Sequence, residues 1–237
     1  MRKFLRLLAA ALAFSGVTGT ASAQVVTFEG MDPAFLGHGD ALVQGAFEVG
    51  MDAGFAGAQP SDLVGAVLNG ADTSSCFSVV CPGNNPTNYL ATLNDAIPFF
   101  YRTDGGDFNL TQFDASFIAV QGVGVLDTSL AIVIYGINNG GILMQETVFL
   151  PGPLSGDYSF STYALSAAFA STAFDEVDFL AYACTTPTTC TRGLNQAQYG
   201  LDNVTFAAPV PEPSTWALLC LGLIGIAVIR RRATAKA

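Results

Sequence analysis

Residues 129–150 read SLAIVIYGINNGGILMQETVFL. Two apolar runs flank Asn138-Asn139-Gly140-Gly141. Asn and Gly tolerate the positive φ that a tight hairpin turn demands. The stretch therefore predicts an antiparallel hairpin with strands over 129–135 and 142–150. Its second strand alternates cleanly. Leu143, Gln145, Thr147 and Phe149 fall on one side, and Met144, Glu146 and Val148 on the other. That two-residue period belongs to a strand with two different faces.

The same grammar continues outward. Strands are expected over 25–29, 97–101, 108–121, 158–165, 174–182 and 198–206, with 41–49 as a candidate strand. Within 174–182, Val177, Phe179 and Ala181 face one way. Residues 62–68 read as a short helix or strand, and 164–172 as a helical turn. Residues 76–88 form a loop carrying Pro82, Gly83, Asn84, Asn85 and Pro86. Residues 184–190 form a Thr/Pro loop. Helical periodicity is otherwise hard to find, and no internal repeat is present. About eight to ten strands at this spacing predict an all-β fold, an antiparallel two-sheet β-sandwich of jelly-roll type.

The two ends of the chain do not belong to that fold. Residues 1–23 read as a cleavable signal peptide. Arg2, Lys3 and Arg6 precede an apolar stretch, and Ala21-Ser22-Ala23 is an A-x-A cleavage site. Residues 24–209 form the β-sandwich domain. Residues 210–237 form a separate tail. It opens with Val210-Pro211-Glu212-Pro213-Ser214, continues with an apolar run over 216–229 and stops at Arg230-Arg231-Arg232. As a helix, the 14-residue run would be about 21 Å long, against a bilayer core of roughly 30 Å. Trp216 and the arginines extend that reach into the interfaces.

With the ends set aside, charge takes on a different meaning. Of nine basic residues only Arg102 and Arg192 lie in 24–209, which holds 18 of the 19 acidic residues, a net charge of −16. Such a body repels phosphate backbones, so no nucleic-acid partner is expected. It suits a soluble exported domain, or one that binds Ca²⁺. Cys220 lies in the tail. The other four cysteines pair most economically as Cys76–Cys81 and Cys184–Cys190, each closing a small loop in an oxidising compartment. Two other pairings are formally open, and a four-thiolate zinc site is the rival reading.

Catalytic signatures are sparse. His38 is the single histidine and lies in a glycine-rich loop. No G-x-S-x-G elbow or phosphate-binding loop accompanies it. Carboxylate pairs for glycoside hydrolysis have no motif to mark them. No enzyme activity is expected. Sugar-stacking aromatics are the other option. Phe99, Phe100 and Tyr101 are contiguous, so a strand there turns at least one outward. Tyr135, Tyr158, Tyr163, Tyr182 and Tyr199 are further candidates.

Three features carry family resemblances. The Pro211-Glu212-Pro213 motif, apolar run and tri-arginine stop, in that order, resemble the PEP-CTERM sorting signal of Gram-negative bacteria. The resemblance implies recognition and cutting by an exosortase, after export by the general secretion machinery and signal peptidase. It also implies transient anchoring in the inner membrane and an association with exopolysaccharide and biofilm. Thr111-Gln112-Phe113-Asp114-Ala115-Ser116-Phe117 resembles the Q-F-x-x-D cargo strand, with Ser116 where that motif has Asp. Thr27-Phe28-Glu29 and Leu201-Asp202-Asn203-Val204 resemble the first and last strands of jelly-roll carbohydrate-binding modules. That likeness implies a structural calcium on Glu29 and Asp202. The Gly37-His38-Gly39-Asp40 loop can add carbonyls and the Asp40 carboxylate, since Ca²⁺ takes several oxygen ligands. The bland alternative has Asp202 capping the last strand and Glu29 in solvent. The expected function is that of an exported, non-enzymatic surface or extracellular-matrix protein. A carbohydrate-binding module is the alternative, and a secreted glycoside hydrolase the remote one.

Overall fold

Turn residues divide the chain into short strands. The computed structural model describes residues 23–76, 79–118, 129–152, 158–186, 188–192 and 196–207. The expected signal peptide (1–23, but for residue 23) and the sorting tail (210–237) lie outside the described residues. In chain order the strands are β1 (Gln24–Val26), β2 (Ala34–Gly37), β3 (Ala41–Gln44), β4 (Phe47–Asp52), β5 (Leu63–Asn69), β6 (Asn88–Thr92) and β7 (Ile97–Arg102). They continue as β8 (Asn109–Phe117), β9 (Ser129–Asn138), β10 (Gly141–Leu150), β11 (Ser161–Ala164), β12 (Glu176–Thr186), β13 (Thr189–Thr191) and β14 (Tyr199–Ala207). A single helical turn, α1 (Ala167–Ala170), precedes β12.

The strands build two antiparallel sheets. One has the order β11-β8-β14-β6-β5-β2, with β1 also pairing β14; the other has β10-β9-β12-β7-β4-β3, with β13 beside β12. The hairpin of the opening stretch forms as expected. Asn139 and Gly140 take φ of 52° and 74°, the left-handed pair that a two-residue turn needs. A bulge between Ile142 and Met144 leaves both Ile142 and Leu143 exposed. Beyond it the alternation holds, with Gln145, Thr147 and Phe149 outward and Met144, Glu146 and Val148 half-buried.

Aromatic rings join the two sheets. Phe206 of β14 stacks on Phe47 of β4 at 4.0 Å between ring centroids. Phe113 of β8 meets Phe179 of β12 edge-on at 5.1 Å. Such pairs add about 0.5–1.5 kcal/mol each beyond the area they bury. Tyr199 is fully enclosed, and its hydroxyl donates to the Phe179 carbonyl at 3.2 Å. Burial pushes its ionisation well above the usual tyrosine range. Residues Ala23–Pro209 form one compact unit.

Several strands differ in extent from the sequence reading. The first ends early because Phe28 takes φ of 58°. That conformation is held by Gln44, whose Oε1 accepts from the backbone N–H groups of both Thr27 and Phe28 at 2.9 Å. The 41–49 stretch is two strands, β3 and β4, folded at Gly45, whose φ is 64°. Residues 62–68 resolve to strand β5. The Thr/Pro loop at 184–190 is itself paired, with Cys184 opposite Cys190.

Candidate functional site

The two outer faces of the sandwich differ. Over β5, β6 and the end of β8, a second apolar cluster forms from Ala66, Leu68, Cys76, Val79, Tyr89, Ala91, Leu93 and Ile118, with Cys81 and Phe160 against it. The Cys76–Cys81 disulfide pins the covering loop. Both sulfurs approach the Tyr89 hydroxyl, at 3.4 and 3.8 Å. Burial raises the ionisation of that phenol strongly. The second disulfide, Cys184–Cys190, staples β12 to β13.

The outer face of the other sheet carries mixed chemistry. Phe100, Val177 and Phe179 point into the core, so by alternation Phe99, Tyr101, Glu176 and Asp178 point out. Pairing registers line them up in rows. One row runs Glu48, Tyr101, Glu176, Ile137 across β4, β7, β12 and β9. The next runs Gly50, Phe99, Asp178, Tyr135, Gln145. Gly50 matters because a Cβ there would lie 2.1 Å from Phe99 Cζ. Only a glycine lets that ring lie down across β4. The Phe99 and Tyr101 rings are within 13° of parallel, with centroids 6.1 Å apart. Together they make an apolar strip between carboxylates.

Those carboxylates are electrostatically coupled. A hydrogen bond to Glu48, then partial burial and the charges of Glu48 and Glu176, push the Tyr101 hydroxyl up to about 12. Burial, then the charge and hydrogen bond of Glu176 and the charge of Asp52, raise Asp178 to about 7. Its Oδ1 is enclosed and has no hydrogen-bond partner among the described residues. Tyr135 is raised by burial and by its hydrogen-bonded neighbour Tyr182. At the end of the first row opens a cleft of about 420 Å³, lined by Tyr101, Arg102, Gly105, Ile137, Gly140, Asp175 and Glu176. Arg102 is engaged there by Asp104, its Nε donating to Oδ1 at 2.8 Å.

Of the aromatics singled out from sequence, Phe99, Tyr101, Tyr135 and Tyr182 share this face. Phe100, Tyr158 and Tyr199 are buried, and Tyr163 is half-buried against Phe113. Glu48, Gly50, Glu176 and Asp178 were not singled out. Their signal was available as spacing: Glu48-x-Gly50-x-Asp52 and Glu176-x-Asp178 each put their members on one face of a strand.

The residues considered for calcium separate into two places. Asp202 is buried in β14. Its Oδ2 accepts from Asn85 Nδ2 at 2.8 Å, and its Oδ1 from Asn203 N–H at 2.7 Å. Burial raises its carboxyl to about 6, opposed by those hydrogen bonds and reinforced by Asp114 and Glu29. Glu29 accepts from Asn88 N–H at 2.7 Å. Asp114 accepts from Thr162 and Asn203 side chains at 2.6 and 2.8 Å. Asp40 lies in the β2–β3 turn, accepting from Gly37 N–H at 2.7 Å. Among the described residues no group of three or more His, Cys, Asp or Glu is placed to hold a metal. His38 Nδ1 accepts from Ala53 N–H at 3.2 Å and lies 3.2 Å from Asp52 Oδ1, tying the β2–β3 turn to the end of β4.

Comparison with known proteins adds the tail. A profile of the PEP-CTERM protein-sorting motif matches residues 209–232. The chain carries that motif, which implies an exported protein, anchored transiently at the membrane and processed by an exosortase. Among the described residues no helix is long and apolar enough to cross a membrane; the apolar run over 216–229 lies outside them. No curated protein matches the chain. Among solved structures it is similar to a DUF4465 family protein from Bacteroides caccae, at 11% identity and a TM-score of 0.46, over 78% of this chain and 98% of that one. It is also similar to the enzymatically active domain of tailspike protein 4 of bacteriophage CBA120, at 12% identity and a TM-score of 0.31, over 68% of this chain and 19% of that one.

Proposed function

We propose that the chain is a non-enzymatic protein of the cell surface or extracellular matrix, associated with exopolysaccharide or biofilm. In this reading signal peptidase and the general secretion machinery deliver it, and an exosortase cuts it at Val210-Pro211-Glu212-Pro213-Ser214. The matched sorting motif at residues 209–232 carries the proposal. The apolar run holds the cargo at the membrane while the proline-stiffened motif offers the cutting site. Intact-mass measurement of the extracellular form tests it. The expected mass lacks residues 1–23 and 216–237, and deleting the exosortase restores the C-terminal segment. An extracellular form that keeps residues 216–237 overturns the proposal.

A second reading is a carbohydrate-binding jelly roll. Two observations support it. Taken in chain order, β6 to β12 and then β14 can be numbered one to eight. The sheets then read 1-8-3-6 and 2-7-4-5, the winding of two Greek keys in a jelly roll. The outward strip of Phe99 and Tyr101, flanked by acceptor carboxylates, offers what a sugar ring uses: an apolar face for its C–H groups and acceptors for its hydroxyls. Pull-down with the producing organism's own exopolysaccharide tests this reading. Retention lost on Tyr101→Ala supports it, and no retention of the native protein sinks it.

A further inference from the structure

We infer that the outer face of β4, β7, β12 and β9, with the cleft at its end, binds a glycan strand whose sugars carry protonated amino groups. This rests on the carbohydrate-binding reading above and adds the ligand class. The strip of Phe99 and Tyr101 is the stacking surface. Gly50 sets its height, because the Phe99 ring occupies the space a Cβ would fill. Glu48 and Glu176 flank Tyr101 in the register, and Asp178 flanks Phe99. Every sugar stacked on the strip therefore has carboxylates at its edges.

Charge selects among glycans. Arg102, the cation lining the cleft, is already engaged by Asp104. Of the remaining titratable groups of the cleft wall, Asp175 and Glu176 are carboxylic acids and Tyr101 is a phenol whose ionisation is pushed up to about 12. A uronate polymer would bring like charge against these carboxylates and against a body of net charge −16. A neutral glycan offers only hydroxyl donors. An ammonium offers charge-assisted hydrogen bonds, about twice as strong. It also relieves the repulsion between Glu176 and Asp178, which sit two residues apart on one face.

The test is titration calorimetry of the full chain with four hexamers: glucosamine, N-acetylglucosamine, cellohexaose and oligogalacturonate. The glucosamine hexamer is expected to bind at least tenfold more tightly than its N-acetylated counterpart, and oligogalacturonate not at all. Glu176→Gln, at a half-exposed position, is expected to keep its melting transition and lose that tenfold preference. Tyr101→Ala is expected to weaken all sugar binding at least tenfold. Equal affinity for the acetylated and free amino sugars overturns the ligand class and leaves carbohydrate binding standing. Equal competition by poly-lysine also overturns it, as charge attraction without sugar recognition. No binding of any hexamer, with no retention on native exopolysaccharide, removes the underlying reading as well.

Discussion

Asp178 is half-enclosed between Phe99 and Tyr135 in its row, and its carboxyl is raised to about 7 by burial first, then by Glu176 and Asp52. An unfolded aspartate titrates at about 3.9. Between those values the folded protein binds more protons than the unfolded one, so its stability falls as pH rises. This contribution is fully present below about pH 4 and lost as pH passes about 7. Asp178→Asn should therefore gain stability over the native chain at pH 8 and much less at pH 5. Urea unfolding at both values checks this, and an equal effect at the two would refute it. Asp202 follows the same sign at about 6, and its oxygens are already engaged by Asn85 and Asn203. With Asp40 turned into its own loop, EDTA should leave the melting temperature unchanged. A fall of several degrees on chelation would place a cation among these carboxylates.

The strands show where element-level reading succeeds and where it fails. The β9–β10 hairpin was legible because one face is buried and one wet, and because Asn139 and Gly140 announce the turn. The 97–101 and 174–182 strands were legible for the same reason. β6 was not. Tyr89, Leu90, Ala91 and Thr92 are all buried, since the disulfide-pinned loop covers one side of that strand and the core the other. A strand buried on both faces has no alternation to read. The site was half legible. Contiguous aromatics signalled an outward ring, but the carboxylates beside it come from β4 and β12, which only the register brings together. The covering loop yields its own prediction. A bridge spanning five residues in sequence adds about 2 kcal/mol by restricting the unfolded chain. Cys76→Ser with Cys81→Ser should lower stability by about that amount. Tyr89 should then become quenchable by solutes in fluorescence. Unchanged stability under oxidising conditions would mean that the loop is held by packing alone.

At the scale of the whole molecule the two sheets differ in their outer faces. One is covered over β5 and β6 by the second apolar cluster; the other carries the strip of Phe99 and Tyr101 on its outer face. The partly covered sheet has β14 near its middle, bonded to β8, β6 and β1. β14 also supplies Tyr199, Leu201, Val204 and Phe206 to the core. Phe206 alone touches Phe47, Phe100 and Phe108, so Phe206→Ala should cost about 3–5 kcal/mol. A chain ending at Gln198 should show no cooperative thermal transition. A sharp transition in that truncation would show that the sandwich closes without its last strand.

The position of β14 also sets a clock. Its last residue, Ala207, is followed almost at once by the sorting motif at 209–232. A chain delivered from its N-terminus meets the central strand of that sheet only when nearly everything else has already arrived. Until then Val26 has no Val204 opposite it and Leu110 no Phe206. Completion of the fold and arrival of the cutting site thus fall at nearly the same moment. On the proposed export route, the strand that completes this sheet and the motif to be cut arrive together.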